Sequence, residues 1–207
     1  MENKKIYFRN DDVNPNSNFE DIKKIYKIIK ENIPGVEIYS AINIFGKSND
    51  EGKPYPQIDT KVDDRDFYDV DRMFDISKIP FLETVISHGL FHFPHGRMSK
   101  QTQMFSILSS CKLLNTNKFL PPFNEWNEQT VNICKKNNII IVGDSEYNNK
   151  VRRYLKKPLL PVTKEKWKNF DNEKFDSKFS YWLIHSWKFT PETFREKLLK
   201  DSRKNNE

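Results

Sequence analysis

The chain holds four histidines, and three of them, His88, His92 and His95, fall within eight residues of one another. Far upstream, the acid pair Asp11-Asp12 closes a short β-like run over residues 5–8 and the polar cluster Arg9-Asn10. Two imidazoles and a carboxylate are the donor set of a catalytic divalent cation, which takes three protein ligands and keeps a position open for water. His88 and His92 are four apart, so they can clasp one ion from a helical turn or a tight loop, with Asp12 arriving from the first strand. On an extended backbone Asp11 cannot point the same way as Asp12, which frees it to accept a proton from the bound water. Each piece also has a plain structural reading: an acid pair at a strand end caps a helix or turn, and paired histidines pack or face solvent. Their value is in their company. His95 is open between a substrate contact, a replacement ligand and a loop residue, and His185, ending an apolar run at Ile184, between a proton donor and a hydrogen-bonded core residue.

Positioning such a set requires elements that deliver polar residues to one rim. Asn18 caps a segment with Phe19, Ile22, Ile25, Tyr26 and Ile29 at helical spacing. Residues 36–45 repeat the strand signal, and the polar stretch 46–65, with its Gly and Pro breakers, reads as a long loop over a site. Residues 83–87 predict a strand running into His88, and 99–114 a helix. Residues 119–123 lead to a helix over about 125–136; 139–142 reads as a buried strand ending at Gly143-Asp144; 181–184 is a strand ending at His185, before a last helix from about Pro191. Strands alternating with helices predict an α/β fold with a largely parallel sheet, open or closed into a barrel, in which ligands sit at the carboxyl ends of the strands. Asp11, Asp12, His88, His92, Asn124, Asp144 and His185 all fall there. Asn124 and Asp144 equally suit helix or turn caps.

Composition narrows the class. At 207 residues the chain fits a single domain over residues 1–207. A charged fraction of 31% beside 14% aromatics describes a folded unit with a very polar surface. The net charge of +6 is spread as lysines among asparagines, a solvated surface and no nucleic-acid stripe; residues 150–157 are the densest basic stretch. Cys111 and Cys134 make no Cys-x-x-Cys pair, so neither a disulfide scaffold nor a zinc knuckle is expected, and a reducing compartment is the simpler reading. With neither a membrane-length apolar run nor a signal-peptide core after Met1, the expectation is a cytoplasmic chain with no membrane span.

Taken together the residues resemble a family. The segment from Phe8 to Val13, with Asp11-Asp12, is similar to the first motif of the NodB-type polysaccharide deacetylases, a carbohydrate esterase superfamily, in which the acid pair supplies base and then ligand. His88-Gly89-Leu90-Phe91-His92 resembles their second motif, two histidine ligands spaced by three residues. Phe119-Leu120-Pro121-Pro122-Phe123-Asn124 resembles the third, a Pro-containing strand end lining the substrate groove, and Leu183-Ile184-His185 the last, whose histidine is the general acid and whose leucine helps line the acetyl pocket. The motifs stand in the family's order across nearly the whole chain. The resemblance implies a distorted (β/α) barrel of about seven strands, with Asp12, His88 and His92 holding one divalent metal ion, most readily Zn2+, with Co2+, Ni2+ or Mn2+ as alternatives. Asp11 would be the base and His185 the acid. Three departures stand out: Gly89 replaces the usual Ser or Thr, Leu120 the usual Arg that steadies the catalytic Asp, and Pro-Phe-Asn ends the third motif. Arg9 or a lysine is left to take the arginine's part.

The implied reaction is hydrolysis of an N-acetyl or O-acetyl group on a carbohydrate or glycan precursor. The backbone N–H after the Pro-rich segment, at Phe123, is the candidate oxyanion donor, and Pro122, Phe123, Asn124 and Leu183 line the groove. Trp126, Trp187, Phe91 and Phe93 offer flat faces for a sugar ring, with Trp187 the first candidate because it follows His185 by two residues. The altered third motif motivates a second reading, a catalytically degenerate deacetylase-fold protein that binds glycans. A third, an iron oxygenase with the same ligand types, would require a jelly-roll strand pattern that this sequence lacks.

Overall fold

The computed structural model describes residues 5–46, 71–142 and 167–203. The predicted loop over 46–65, apart from Gly46, lies outside these residues, as do Asp144 and the basic stretch 150–157. The elements in chain order are β1 (Tyr7–Val13), α1 (Phe19–Asn32), β2 (Glu37–Ile42), β3 (Phe45–Gly46), β4 (Arg72–Met73), β5 (Thr84–Ser87), α2 (Lys100–Leu113), β6 (Lys118–Phe119), α3 (Glu128–Lys136), β7 (Ile140–Ile141), β8 (Lys168–Asn169), β9 (Tyr181–Ile184) and α4 (Pro191–Arg203).

Seven strands form one sheet in the order β7-β6-β5-β2-β1-β9-β8, and every neighbouring pair is parallel. That order is the chain order wrapped into a ring and opened between β7 and β8, so the α/β reading holds as a distorted barrel, open at this point among the described residues. β3 and β4 form a separate antiparallel pair.

Side chains alternate between two environments, as parallel strands buried on both faces require. Asn10 and Ser40 reach Tyr26 of α1, and Ser87 bonds Ser110 of α2 at 2.6 Å, so this set faces the helices. The other set faces inward: Tyr7 stacks between Tyr39 and Tyr181, and Ala41, Ile86 and Leu120 cluster together. The main core lies between sheet and helices, where Phe8, Ile22, Ile25, Ile29, Ile42, Phe170, Trp182 and Phe194 are essentially inaccessible. Each such side chain contributes roughly 1.5–3 kcal/mol of transfer free energy.

Helix α1 starts where expected: the Asn18 side chain accepts from Asp21 N–H, Glu20 and Asp21 favour its positive end, and Lys30 its last turn. Helix α2 is capped by Ser99 and buries a polar face of Gln103, Ser106 and Ser110 beside Ile107 and Cys111. Helix α3 begins three residues later than residue 125, because residues Pro122–Asn124 form a 3-10 turn and Glu125 is committed to Arg97; Asn127 is the true cap, in a capping box with Thr130. Strand β7 is two half-buried residues at a sheet edge and not the buried strand expected over 139–142. Its partners on one side are simply absent among the described residues.

Candidate metal centre with flanking acid and base

The carboxyl ends of β1, β5 and β9 deliver the chemistry. At the end of β1 the pairing with β2 shifts between Asn10 and Val13, and Asp12 takes a left-handed backbone conformation (φ 64°). Asp12 is therefore not on an extended backbone, and the bulge sets its direction, whereas Asp11 keeps the face of Arg9 two residues before it. Asp12 Oδ1 lies 3.2 Å from His88 Nε2 and 3.0 Å from His92 Nε2. All three side chains are buried, and their ligand atoms lie within 4.8 Å of one another. Ligands bound at about 2.0–2.1 Å around a tetrahedral ion sit roughly 3.3 Å apart, so the two Asp–His separations suit a shared cation.

His88 follows β5 directly, and its segment to His92 is a non-helical bend. The end of β2 zips onto this bend: His88 N–H donates to Ile42 O, Asn43 Nδ2 donates to His88 O at 2.6 Å, and Phe45 N–H donates to Leu90 O. His88 Nδ1 is 2.7 Å from Leu120 O. A carbonyl only accepts, so Nδ1 donates to it and Nε2 is the ring atom turned toward Asp12, the orientation of a metal-bound imidazole. Leu120, where the motif resemblance leads to the expectation of an arginine, thus orients His88 through its backbone carbonyl. His92 lies against the Phe123 ring, centroids 4.4 Å apart. Burial opposes ionisation of Asp12, yet the charge of His92 and hydrogen bonds from both histidines outweigh it and hold the carboxyl well below its ordinary range.

Asp11 is gripped by Arg9 from the same strand: Nε donates to Oδ1 at 2.7 Å and Nη2 to Oδ2 at 2.8 Å. The guanidinium is 1% exposed and lies over the Trp167 ring, 4.6 Å from its centroid. A fork of two charge-assisted bonds fixes both carboxylate oxygens. Trp167, immediately before β8, escaped the sequence reading.

His185 Nε2 stands 3.5 Å from Asp12 Oδ2, on the far side of that carboxylate from the two other histidines. Its Nδ1 is 2.6 Å from Asp171 Oδ2, while its backbone N–H donates to Asp171 Oδ1. Lys188 also donates to Asp171 Oδ2, at 2.9 Å. Burial disfavours the charged imidazole, but the bond to Asp171 and the charges of Asp12 and Asp11 raise its pKa above the ordinary value. Asp171 was missed because β8 is only Lys168–Asn169, too short and polar to read as a strand.

The expected groove residues are distributed unevenly. Pro122 is buried, and Phe123 and Asn124 both adopt left-handed backbone angles (φ 55° and 51°), a strained turn that lays Phe123 on His92. Asn124 Oδ1 and Trp187 Nε1 are buried without a hydrogen-bond partner among the described residues. Leu183 pairs in register with Arg9 and shares its face. Trp187 lies 5.9 Å from His185 ring to ring and lines a hollow with Asn16, Ser17, Asn18, Asp21 and Phe189. Trp126 packs its backbone against Gly96, a Cβ at which would meet it at 3.2 Å. Phe91 and Phe93 are core residues, and His95 is fully buried against Phe119 with its ring nitrogens turned to Phe93 O and Ser106 Oγ.

No family model and no curated protein matches the sequence. Solved structures do. The wild-type CE4 family pseudoenzyme from Bacillus anthracis superposes with a TM-score of 0.50 at 12% identity, over 98% of this chain and 62% of that one. A mutant of it described as having restored enzymatic activity gives 0.52 at 12% identity, over 98% and 64%. The chain therefore has the fold of these CE4 family structures and spans less than two thirds of them. No helix among the described residues is long and apolar enough to cross a membrane.

Proposed function

We propose that this chain is a metal-dependent hydrolase of the polysaccharide deacetylase type that removes an N- or O-acetyl group from a carbohydrate or glycan precursor. The observation that carries the reading is the joint placement of a buried Asp12-His88-His92 donor set, an arginine-held Asp11 and an Asp171-backed His185 at one rim. Asp12, His88 and His92 would hold the ion, with zinc favoured by the two-nitrogen, one-oxygen set. Bound there, the ion would supply polarisation of the acyl carbonyl and a water activated near neutral pH. Asp11 accepts the proton of the attacking water, and Arg9 keeps both its oxygens in place while it does so. His185, positioned by Asp171, gives a proton to the departing amine or alkoxide. The Phe123 N–H is the donor we assign to the developing oxyanion. Pro122, Asn124 and Leu183 line the acyl side of the groove, and Trp187 and Trp126 offer the faces for a sugar ring.

Zinc-loaded protein should release acetate from acetylated chito- or xylo-oligosaccharides, and Asp11→Asn should lower that rate by at least about 100-fold while retaining the metal. Equal rates in the two proteins overturn the assignment of the base. The second reading, a glycan-binding protein without turnover, is favoured by Leu120 in place of the arginine and by the pseudoenzyme status of the similar structures. It predicts oligosaccharide affinity with no acetate release from the zinc-loaded wild type.

A further inference from the structure

One histidine is left over by this chemistry. His95 is completely buried, with Nδ1 at 2.9 Å from Phe93 O and Nε2 at 3.0 Å from Ser106 Oγ. The Phe93 carbonyl can only accept, so Nδ1 carries the ring proton and Nε2 accepts from the Ser106 hydroxyl. Ser106 Oγ in turn accepts from Leu90 N–H at 3.1 Å. A continuous chain of donors thus runs from Leu90 N–H through Ser106 and His95 to Phe93 O. Its two backbone ends lie one on each side of His92, and the first lies two residues after His88. Ser106 belongs to α2, so the bend bearing two of the proposed ligands is pinned to a helix.

The same ring explains a residue that departs from the family pattern. A Cβ at Gly89 would sit 2.9 Å from His95 Cε1 and 3.0 Å from Phe91 O, and Gly89 has φ +89°. The volume a side chain at position 89 would fill is occupied by the imidazole.

We propose that His95 and Ser106 are positioning residues that hold the His88–His92 bend in its ligand-bearing shape, and that Gly89 is the residue this arrangement requires. The inference rests on the metal-site reading of Asp12, His88 and His92. Outer-shell support of this kind changes metal affinity by about 10–100-fold when removed. The test is calorimetric titration of Zn2+ into wild type, His95→Asn, Ser106→Ala and the double variant, with the thermal melt of each zinc-free protein measured alongside. Each single substitution should weaken zinc binding by about tenfold or more, and the double should be little weaker than the worse single, because both break one chain. Gly89→Ser should weaken binding more in wild type than in a His95→Ala background. Variants that melt lower yet bind zinc as tightly as wild type overturn the proposal, as do losses that multiply in the double. A wild type that takes up no zinc overturns the metal site and this support together.

Discussion

Asp11 is a carboxylate whose two oxygens are spoken for by a single guanidinium, and the arrangement makes Arg9 testable by itself. Arg9→Met leaves a buried carboxylate unpaired, which costs about 3–5 kcal/mol of stability, and removes the fork that aims the base. We expect kcat to fall by about 100-fold or more with KM nearly unchanged. Arg9→Lys keeps the charge but not the fork and should recover only part of the rate. A Met variant with wild-type kcat would show that the arginine is merely structural. For His185 the sign follows from the role proposed for it: a proton donor must be protonated, so the rate falls as pH rises through its pKa. Burial works against the charged ring, but Asp171 heads the causes that raise that pKa. The basic limb of the rate profile should therefore lie above the ordinary histidine value of about 6.5, and Asp171→Asn should move it to lower pH. A limb that does not move would detach Asp171 from the acid. At this scale the ligand types and the acid pair were legible in the residues themselves. Arg9 was visible only as a candidate, Asp171 and Trp167 not at all, since the strand that brings them in is two residues long.

The elements place these residues by means that hydrophobic patterning records unevenly. Helix α1 starts at its expected cap and strand β9 has its expected bounds, because each carries clear apolar spacing and buries aliphatic or aromatic side chains against the main core. Helix α2 buries serines and a glutamine, Ser110 against Ser87 of β5 and Gln103 against Thr130 of α3, and only its cap and the sparse apolar positions betray it. The start of α3 was misplaced because Pro121-Pro122 and two left-handed residues extend the preceding turn. Its actual cap is accordingly worth testing. Asn127 accepts from Gln129 and Thr130 N–H and donates to Gly96 O. Asn127→Ala should cost about 1–2 kcal/mol, seen as a melting temperature lowered by about 2–8 °C. No change in the melt would contradict the capping assignment.

For the molecule as a whole, the parallel alternation of strands and helices was readable, and with it the rim on which the polar residues meet. What was not readable is how the strand-end bulge at Asp12 turns its carboxylate toward two histidines. Global stability carries its own signature of the buried fourth histidine. Burial pushes the His95 pKa down to about 3, against 6.5 ordinarily, although the bond to Phe93 resists this. Between those values the unfolded chain binds a proton that the folded one refuses, so stability present above pH 6.5 is lost as pH falls, by on the order of 4 kcal/mol. His95→Asn should flatten that slope in urea melts taken from pH 7 to 4. The proposed site turns on one cation gripped by Asp12, His88 and His92. Its most direct test is zinc stoichiometry, by metal analysis after dialysis, in wild type and in Asp12→Ala, His88→Ala and His92→Ala. One ion per wild-type chain and essentially none in each variant is the expected outcome. A wild type without zinc, or variants that keep a full equivalent, would contradict it.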